Sequence, residues 1–244
     1  MKKNQNIDNW DKFFQKYNKN NIALFFSNKA RSNIIKLLIK LMFYKNNNKK
    51  NKILDFGVSS SKNSDSNPFV KYFIKKKYKS LYGCGLDNIS DVKNNLKDLK
   101  YKKIKPNKKL PYKDNYFSIS ISHAVFEHLG SFKKKQFYLS ELLRISKKVF
   151  ITVPNRYFPI EHHSNIPLLG YLPSKLIYKI LVFLNYSIFK SEKTLTFNSI
   201  NDFHLIIKKL INTYNFNYSI NYTGLLLGKF SSHFYVYIEK KIKN

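Results

Sequence analysis

The segment Lys52–Ser61, Lys-Ile-Leu-Asp-Phe-Gly-Val-Ser-Ser-Ser, limits the possible folds of this chain more than any other. A short apolar run leads to Asp55, then to Gly57 and a series of small residues. This order is typical of a buried parallel strand, predicted over Ile53–Phe56, that ends in a tight turn. The same run also occurs at ordinary strand ends. In a doubly wound sheet, however, ligands bind outside the carboxyl ends of the strands, so a carboxylate here is placed to accept hydrogen bonds from a nucleoside.

Three later segments add to this pattern. Residues 83–87, Gly-Cys-Gly-Leu-Asp, are typical of a second strand that ends in an acid. Residues 110–129 begin with Leu-Pro-Tyr and end with Phe-Glu-His-Leu, and residues 141–161 contain Val-Phe-Ile-Thr-Val-Pro-Asn-Arg. In order and spacing these segments resemble class I S-adenosylmethionine-dependent methyltransferases of the methyltransferase type 11 group. The resemblance extends over about Ile53–Glu161.

The resemblance implies an α/β fold. Its expected form is a three-layer sandwich around a doubly wound, mostly parallel, seven-stranded sheet that a C-terminal antiparallel hairpin closes. The later strands are predicted over Ser80–Leu86, Leu99–Ile104, Tyr116–Ser122, Val149–Val153, Tyr218–Leu226 and Phe234–Glu239. Apolar spacing predicts helices over Asp8–Tyr17, Ala30–Tyr44, Pro68–Lys77, Lys133–Ser146 and Ile200–Ile211. The chain is expected to form one domain, 1–244, with N-terminal helices in 1–50 and a cap insertion at 157–190.

The resemblance also implies a binding site for S-adenosylmethionine. Family members usually read Gly-x-Gly-x-Gly after the first strand, and Ser59 and Ser61 stand at the later glycine positions of this degenerate motif. A serine keeps a ligand farther from the backbone, although its hydroxyl can bind the ligand. Asp87 follows Asp55 at a longer distance than the roughly 20 residues of a dinucleotide fingerprint, which argues against a nicotinamide enzyme. The expected cofactor-binding residues are Asp55, Gly57, Ser59, Asp87, Asn107 and His123.

Two of these residues have alternative interpretations. In the family, an acid at the position of Asp87 binds the ribose hydroxyls, but Asp87 could equally cap the following helix. Family members place an acid near the adenine amino group where this chain has Pro106. The neighbouring Asn107 offers an amide oxygen for the same hydrogen bond, or is a turn residue without a ligand.

Acceptor-side residues are expected near the ends of the fourth and fifth strands. Methyl transfer to an alcohol benefits from a base, and the candidates are His128, His162 and His163. Asn155, Arg156 and Glu161 are the candidate substrate-binding residues, with Arg156 suited to a carboxylate or phosphate. Glu161-His162-His163 contains metal-ligand residue types, but adjacent histidines on an extended segment point to opposite sides. No metal site is therefore predicted.

The insertion Tyr157–Lys190 has three interpretations. In a family with this core, such an insertion usually covers the acceptor pocket, and this is the expected role. Its apolar run Leu176–Phe189 could instead be a plain packing helix. Lysines among its apolar residues also fit an interfacial helix on an anionic membrane.

Net charge is the most unusual property of the composition. The formal charge is +31, which suggests an anionic partner, yet only three of the 45 Lys and Arg residues are arginines. Nucleic-acid surfaces usually draw on arginine, so the charge is better interpreted as a solvated surface that attracts polyanions without specificity. A polar N-terminus, the absence of a long apolar stretch and a single cysteine, Cys84, predict a cytoplasmic protein, with the inner face of the membrane as the alternative.

Three hypotheses on function follow. The first is a methyltransferase that uses S-adenosylmethionine and acts on a small molecule or a glycan or lipid precursor. The second is a non-catalytic scaffold or partner protein of the same fold, suggested by the departures at Ser59, Ser61, Pro106 and Ser118. The third, suggested by charge, is an RNA-binding or RNA-modifying protein.

Overall fold

The computed structural model describes residues 21–43, 51–62 and 66–241. Its helices are α1 (Asn21–Phe43), α2 (Pro68–Lys75), α3 (Ile89–Asn95), α4 (Phe132–Ile145), α5 (Ser174–Phe183) and α6 (Ile200–Leu210). Its strands are β1 (Ile53–Phe56), β2 (Leu81–Gly85), β3 (Lys100–Lys103), β4 (Phe117–His123), β5 (Ser146–Pro154), β6 (Phe216–Leu227) and β7 (Phe230–Lys240). Short 3-10 turns occupy Phe126–His128, Leu169–Tyr171 and Ser187–Phe189. The helix predicted at Asp8–Tyr17 lies outside the described residues.

The seven strands form one sheet in the order β3-β2-β1-β4-β5-β7-β6. The first five strands are parallel, and β7 pairs antiparallel with both β5 and β6. This arrangement confirms the predicted doubly wound sheet with its C-terminal hairpin. Chain order reverses between β1 and β4, so the ends of these strands form the topological switch point at which ligands bind in open α/β sheets.

Apolar side chains bury both faces of the sheet. On one face, α4 and α6 contribute Leu139, Leu142, Phe203 and Ile207. On the other face, α1, α2 and α3 contribute Ile34, Leu38, Phe69, Phe73 and Val92. Burying each such side chain stabilises the fold by roughly 1.5–3 kcal/mol. The sheet is therefore the middle layer of three, and its polar strand ends are left for other roles.

Most predicted boundaries differ from the structure by one to three residues, and two differ by more than three. Helix α1 begins at Asn21, well before the predicted Ala30. Residues 230–232, predicted to lie in the hairpin connection, belong to β7. The serines in this stretch resemble turn residues in the sequence, but their hydroxyls bind backbone groups beside a bulge in β6: Ser231 donates to the Thr223 carbonyl, and Ser232 accepts from the Leu225 N–H.

The insertion at 157–190 folds around a small core of its own. Ile177 and Leu181 of α5 are fully buried and pack with Phe189 and Leu195. The opposite side of α5 is exposed, and 84% of the Phe183 side chain is accessible. Among the described residues no helix is long and apolar enough to cross a membrane.

Candidate functional site

Asp55 lies near the carboxyl end of β1, between β2 and β4. Its carboxyl group is buried, and no described residue donates a hydrogen bond to it. Burial in this poorly hydrated position raises its pKa to about 7. A buried carboxylate without a donor is costly, so Asp55 is a group that a bound ligand could satisfy.

The turn after β1 requires glycine. Gly57 has φ +100°, which residues with a side chain rarely adopt, and a Cβ atom there would lie 2.3 Å from Val125 Cγ2. Gly85 at the end of β2 has an equivalent constraint, because its Cβ would lie 2.1 Å from the carbonyl oxygen of Val58. The backbone of the turn therefore runs directly against the end of β2.

Side-chain hydrogen bonds hold the serine-rich part of this turn. Asn67 accepts from the Ser59 N–H at 3.0 Å and donates to the Ser59 carbonyl at 2.8 Å. Asp87 Oδ2 accepts from both the N–H and the hydroxyl of Ser60, at 2.6 and 2.7 Å. No other described residue is hydrogen-bonded to the second oxygen, Oδ1. Helix α3 has Asn88 as its N-cap residue, so the alternative role of Asp87 as that cap is wrong.

Asn107 lies beyond the end of β3, and His123 is the last residue of β4. Asn107 is exposed, has φ +56° and donates its backbone N–H to the Tyr138 hydroxyl at 2.9 Å. The His123 ring is hydrogen-bonded through Nδ1 to Thr152 Oγ1 at 2.7 Å and contacts Phe69 edge-on. Burial lowers the pKa of His123 to about 3, so the ring is neutral at physiological pH. His123 is tied to neighbouring protein groups, whereas Asn107 leaves its side chain toward solvent.

The adjacent histidines His162 and His163 point to different places, as expected. His162 donates from Nε2 to the Ser232 carbonyl at 2.8 Å, and its ring lies 4.6 Å from that of His233. His163 instead donates from Nδ1 to Glu161 Oε1 at 2.9 Å. The His163 ring meets the His128 ring edge-on, with 5.3 Å between centroids.

Glu161 organises the beginning of the insertion. Its Oε2 accepts hydrogen bonds from the backbone N–H groups of His163 and Ser164 and from the Ser164 hydroxyl. Burial raises the pKa of Glu161, but the adjacent His163 and these hydrogen bonds outweigh burial and lower it to about 2. Glu161 is therefore an ionised carboxylate that fixes the orientation of the His163 ring.

Asn155 and Arg156 hold the connection between the sheet and the insertion. Asn155 donates from its side chain to the Ser231 carbonyl at 3.0 Å. The Arg156 guanidinium donates to the carbonyls of Gly170 and Leu172 at 3.0 and 2.9 Å, and it lies over the Tyr157 ring. Both side chains line a small pocket whose other walls include Glu127, Glu161, His163, Thr196 and Asn198.

Comparison with solved structures shows what this arrangement is similar to. The methyltransferase domain of a bacterial CtHen1 superposes with a TM-score of 0.57 at 12% identity, covering 88% of this chain and 100% of that domain. A possible histamine N-methyltransferase from Thermotoga maritima gives 0.56 at 12% identity, over 95% and 98% of the two chains. The plantazolicin methyltransferase BpumL gives 0.57 at 15% identity, over 95% and 90%.

This chain has the fold of S-adenosylmethionine-dependent methyltransferases. At these identities the likeness shows the fold alone. No family model matches the sequence, and no curated protein does.

Within this methyltransferase fold, the predicted residues divide into two groups. Asp55, Gly57, Ser59 and Asp87 lie together around the turn after β1. His128, Asn155, Arg156, Glu161 and His163 lie around the small pocket at the beginning of the insertion or on its rim. His162 also lines this pocket, although its ring contacts His233, a buried histidine on β7. His123 belongs to neither group, because it is hydrogen-bonded to Thr152 and its ring lies against His233.

Sequence reasoning missed several residues of both groups. Asn67 and Ser60 hold the turn, but polar residues in a long loop carry no signal of their mutual pairing. No role was predicted for Glu127, which directly precedes the candidate base His128. Its signal was an acid directly after the apolar residues Ala124–Phe126, where the backbone turns inward and buries the side chain.

Proposed function

We propose that this chain is an S-adenosylmethionine-dependent methyltransferase that acts on a small molecule or a glycan or lipid precursor. The observation that carries the proposal is Asp55, a buried carboxylate without a hydrogen-bond donor at the switch point of a methyltransferase fold. Buried polar groups in proteins usually have a hydrogen-bond partner, and we propose that a bound ligand supplies the donor to Asp55.

The residues around Asp55 fit the proposed cofactor. Gly57 and Gly85 bring backbone close to the ends of β1 and β2, and the second oxygen of Asp87 remains to accept from vicinal hydroxyls. Ser59 and Asn107 are proposed as further contacts with the cofactor. His123, which is hydrogen-bonded to Thr152, is proposed to support the site without contacting the reacting atoms. When bound, S-adenosylmethionine supplies an electrophilic methyl group. The protein then has to fix geometry and exclude water more than it has to supply a strong catalyst.

The acceptor is proposed to bind on the insertion side. The pocket between Pro154 and the segment 196–198 has a volume of only about 10 Å³, so an acceptor could insert no more than its reacting hydroxyl there. His163, which Glu161 orients, is one of the residues that line it. An oxygen acceptor needs its proton removed or its pKa lowered before it attacks. Each of the three candidate histidines is hydrogen-bonded to a protein group: His128 to Thr194, His162 to Ser232 and His163 to Glu161. His162 and His163 line the pocket, and we favour His163 as the base because a carboxylate orients its ring.

The proposal is tested by thermal stability in a panel of nucleosides. S-Adenosylhomocysteine at a hundred times its Kd should stabilise the protein by about 2.7 kcal/mol, and NAD and ATP should give no comparable shift at 200 mM salt. The salt is needed because ATP is a polyanion and this protein is strongly basic. A folded protein that no concentration of S-adenosylhomocysteine up to millimolar stabilises would contradict the proposal.

A second candidate function is a non-catalytic scaffold of the same fold. One observation favours it: Ser60 already occupies an oxygen of Asp87, the acid that the ribose would need. In a scaffold the Asp87 carboxylate serves the loop alone. The substitution Asp87→Asn would then leave every nucleoside response unchanged, whereas the methyltransferase proposal expects weaker binding of S-adenosylhomocysteine.

A further inference from the structure

A cluster of metal-ligand side chains joins the end of β4 to the insertion. Glu127 and His128 lie in the 3-10 turn Phe126–His128, and His163 comes from the insertion. One ligand atom from each of the three residues lies within 4.8 Å of the others. His128 Nε2 is 4.0 Å from Glu127 Oε1.

Glu127 is the observation that points to a ligand. Its side chain is buried, with 1% of the residue exposed, and neither carboxylate oxygen has a hydrogen-bond partner among the described residues. The buried Lys135 directs its ammonium to Thr196 Oγ1 and Asn198 Oδ1 and makes no hydrogen bond to Glu127. A buried carboxylate that has no hydrogen-bond partner and lies beside two imidazoles is suited to bind a cation.

Both imidazoles are held as metal-binding histidines usually are. A carbonyl oxygen can only accept, so His128 Nδ1 must donate to the Thr194 carbonyl, at 2.9 Å. His163 Nδ1 donates in the same way to the ionised Glu161 carboxylate. Such hydrogen bonds fix the ring orientation and leave Nε2 as the ligand nitrogen, with carboxylate or carbonyl support from the far side.

We propose that Glu127, His128 and His163 bind a divalent transition-metal ion of the zinc class. Two imidazoles and one carboxylate suit Zn²⁺, Co²⁺, Mn²⁺ or Fe²⁺ better than Mg²⁺ or Ca²⁺, which prefer oxygen ligands. Three protein ligands leave a coordination position for another molecule, as in catalytic metal sites. Ligand atoms around one tetrahedral ion lie about 3.3 Å apart for bonds near 2.0–2.1 Å, so small side-chain rotations close the site.

The position of the proposed ion in the fold suggests a role in methyl transfer. It would lie beside the pocket assigned to the acceptor and could lower the pKa of an acceptor hydroxyl. This role rests on the proposed function, but binding of the ion does not.

No metal site was predicted from the sequence, because the adjacent His162 and His163 cannot share one ion. The cluster avoids that objection by using one of them and taking its second imidazole and its carboxylate from the turn after β4.

Cobalt provides the first test. Tag-free protein, freed of metal by a chelator, is titrated with Co²⁺ and followed by visible absorption and by the metal content after gel filtration. One ion per chain, with the absorption of a tetrahedral or five-coordinate site and displacement by Zn²⁺, is the expected result. Mg²⁺ at the same concentration should not compete. Failure to retain any ion, or preference for Mg²⁺, would overturn the assignment.

Variants assign the ligands. Glu127→Gln and His163→Gln, chosen to preserve shape, should each weaken Co²⁺ binding at least tenfold, and Glu161→Gln should weaken it 10- to 100-fold because Glu161 orients a ligand. His204→Ala is the matched control, since His204 is an exposed histidine on α6. Circular dichroism confirms folding of each variant. If the two Gln variants bind as the natural protein does, or His204→Ala binds less, the cluster does not hold the ion.

Metal and methyl-donor binding are measured separately, so each can fail alone. Retained binding of S-adenosylhomocysteine without binding of Co²⁺ leaves the proposed function and removes the metal site. Retained Co²⁺ without S-adenosylhomocysteine leaves the metal site and removes its role in methyl transfer.

Discussion

At the scale of single residues, the surroundings of Asp55 oppose its own charge. The carboxyl group is buried in the sheet, and no described residue compensates it. Its ordinary pKa of 3.8 is raised to about 7, so the folded state binds a proton that the unfolded state releases between these values. Asp55 therefore destabilises the folded state, and it does so most above pH 7, where its side chain is ionised. A residue that weakens its own fold in this way suggests selection for binding.

Replacing Asp55 with asparagine should separate stability from binding. At pH 8, Asp55→Asn should be more stable than the natural protein by up to about 4 kcal/mol, because each unit of pKa shift corresponds to about 1.4 kcal/mol. At pH 5 the side chain is protonated in the folded state but still ionised in the unfolded state, so the difference should shrink to about 1.6 kcal/mol, and it should vanish only below the unfolded pKa of 3.8. Urea unfolding at both pH values measures this. A gain of equal size at both pH values would show that desolvation of the charge is not its cause.

Gly85 gives a second prediction at this scale. The Gly85→Ala variant places a methyl group 2.1 Å from the Val58 carbonyl oxygen, a backbone atom that cannot rotate away. We expect a loss of about 3 kcal/mol or more in the free energy of unfolding. Gly228→Ala is the control, because nothing lies within 4 Å of its Cβ position and only its φ of +57° causes strain, at a cost of about 1 kcal/mol. Equal losses in the two variants would mean that the turn does not press against β2.

At the scale of elements, the loop after β1 differs from the glycine-rich turn that the family resemblance implies. Its backbone N–H groups donate hydrogen bonds to side chains outside the turn: Ser59 to Asn67 and Ser60 to Asp87. The presence of a turn could be predicted from Asp55 and Gly57. The means of holding it could not, because hydrogen bonds between distant polar residues have no periodicity or spacing in the sequence.

Asn67 allows this loop to be tested. Asn67 has φ +54°, and Asn67→Gly keeps that backbone conformation while losing two side-chain hydrogen bonds. We expect it to lose about 2 kcal/mol of stability, at about 1 kcal/mol for each bond. Asn185→Gly is the matched control, since Asn185 is exposed and has φ +63°. If both variants lose the same free energy of unfolding, the side-chain hydrogen bonds of Asn67 do not stabilise the loop.

The remaining elements show which patterns carry information. The central strands could be predicted closely, because burial on both faces produces continuous apolar runs such as Val149–Val153. The beginning of β7 could not, because Ser231 and Ser232 are buried through hydrogen bonds of their hydroxyls and not through hydrophobicity. The same limit applies to Glu127, whose burial depends on a turn and not on a pattern.

At the scale of the whole molecule, the charge of +31 has a structural use at one edge of the sheet. β3 is an edge strand, and Lys100, Lys102 and Lys103 along it are exposed. Charged side chains on an edge strand prevent pairing with another chain. Lys100 and Lys102 also lie over the rings of Tyr82 and Tyr112. This part of the charge therefore protects the fold without requiring a nucleic-acid partner.

The charge should still produce non-specific attraction. We expect RNA, DNA and heparin to bind at 50 mM salt with similar affinity, and each to lose at least a hundredfold by 200 mM, because binding through phosphates alone depends steeply on salt. Filter binding across a salt series measures the slope. One RNA that keeps its affinity at 200 mM while scrambled RNA loses it would instead support the RNA-directed function.

The measurement that tests the account most directly is calorimetry with S-adenosylhomocysteine, at 200 mM salt and pH 8. The natural protein should bind one molecule per chain, and Asp55→Asn should bind at least tenfold more weakly although it is the more stable protein. No heat from the folded natural protein at millimolar ligand, or equal affinity in the two proteins, would contradict the claim that Asp55 is kept unpaired for a bound methyl donor.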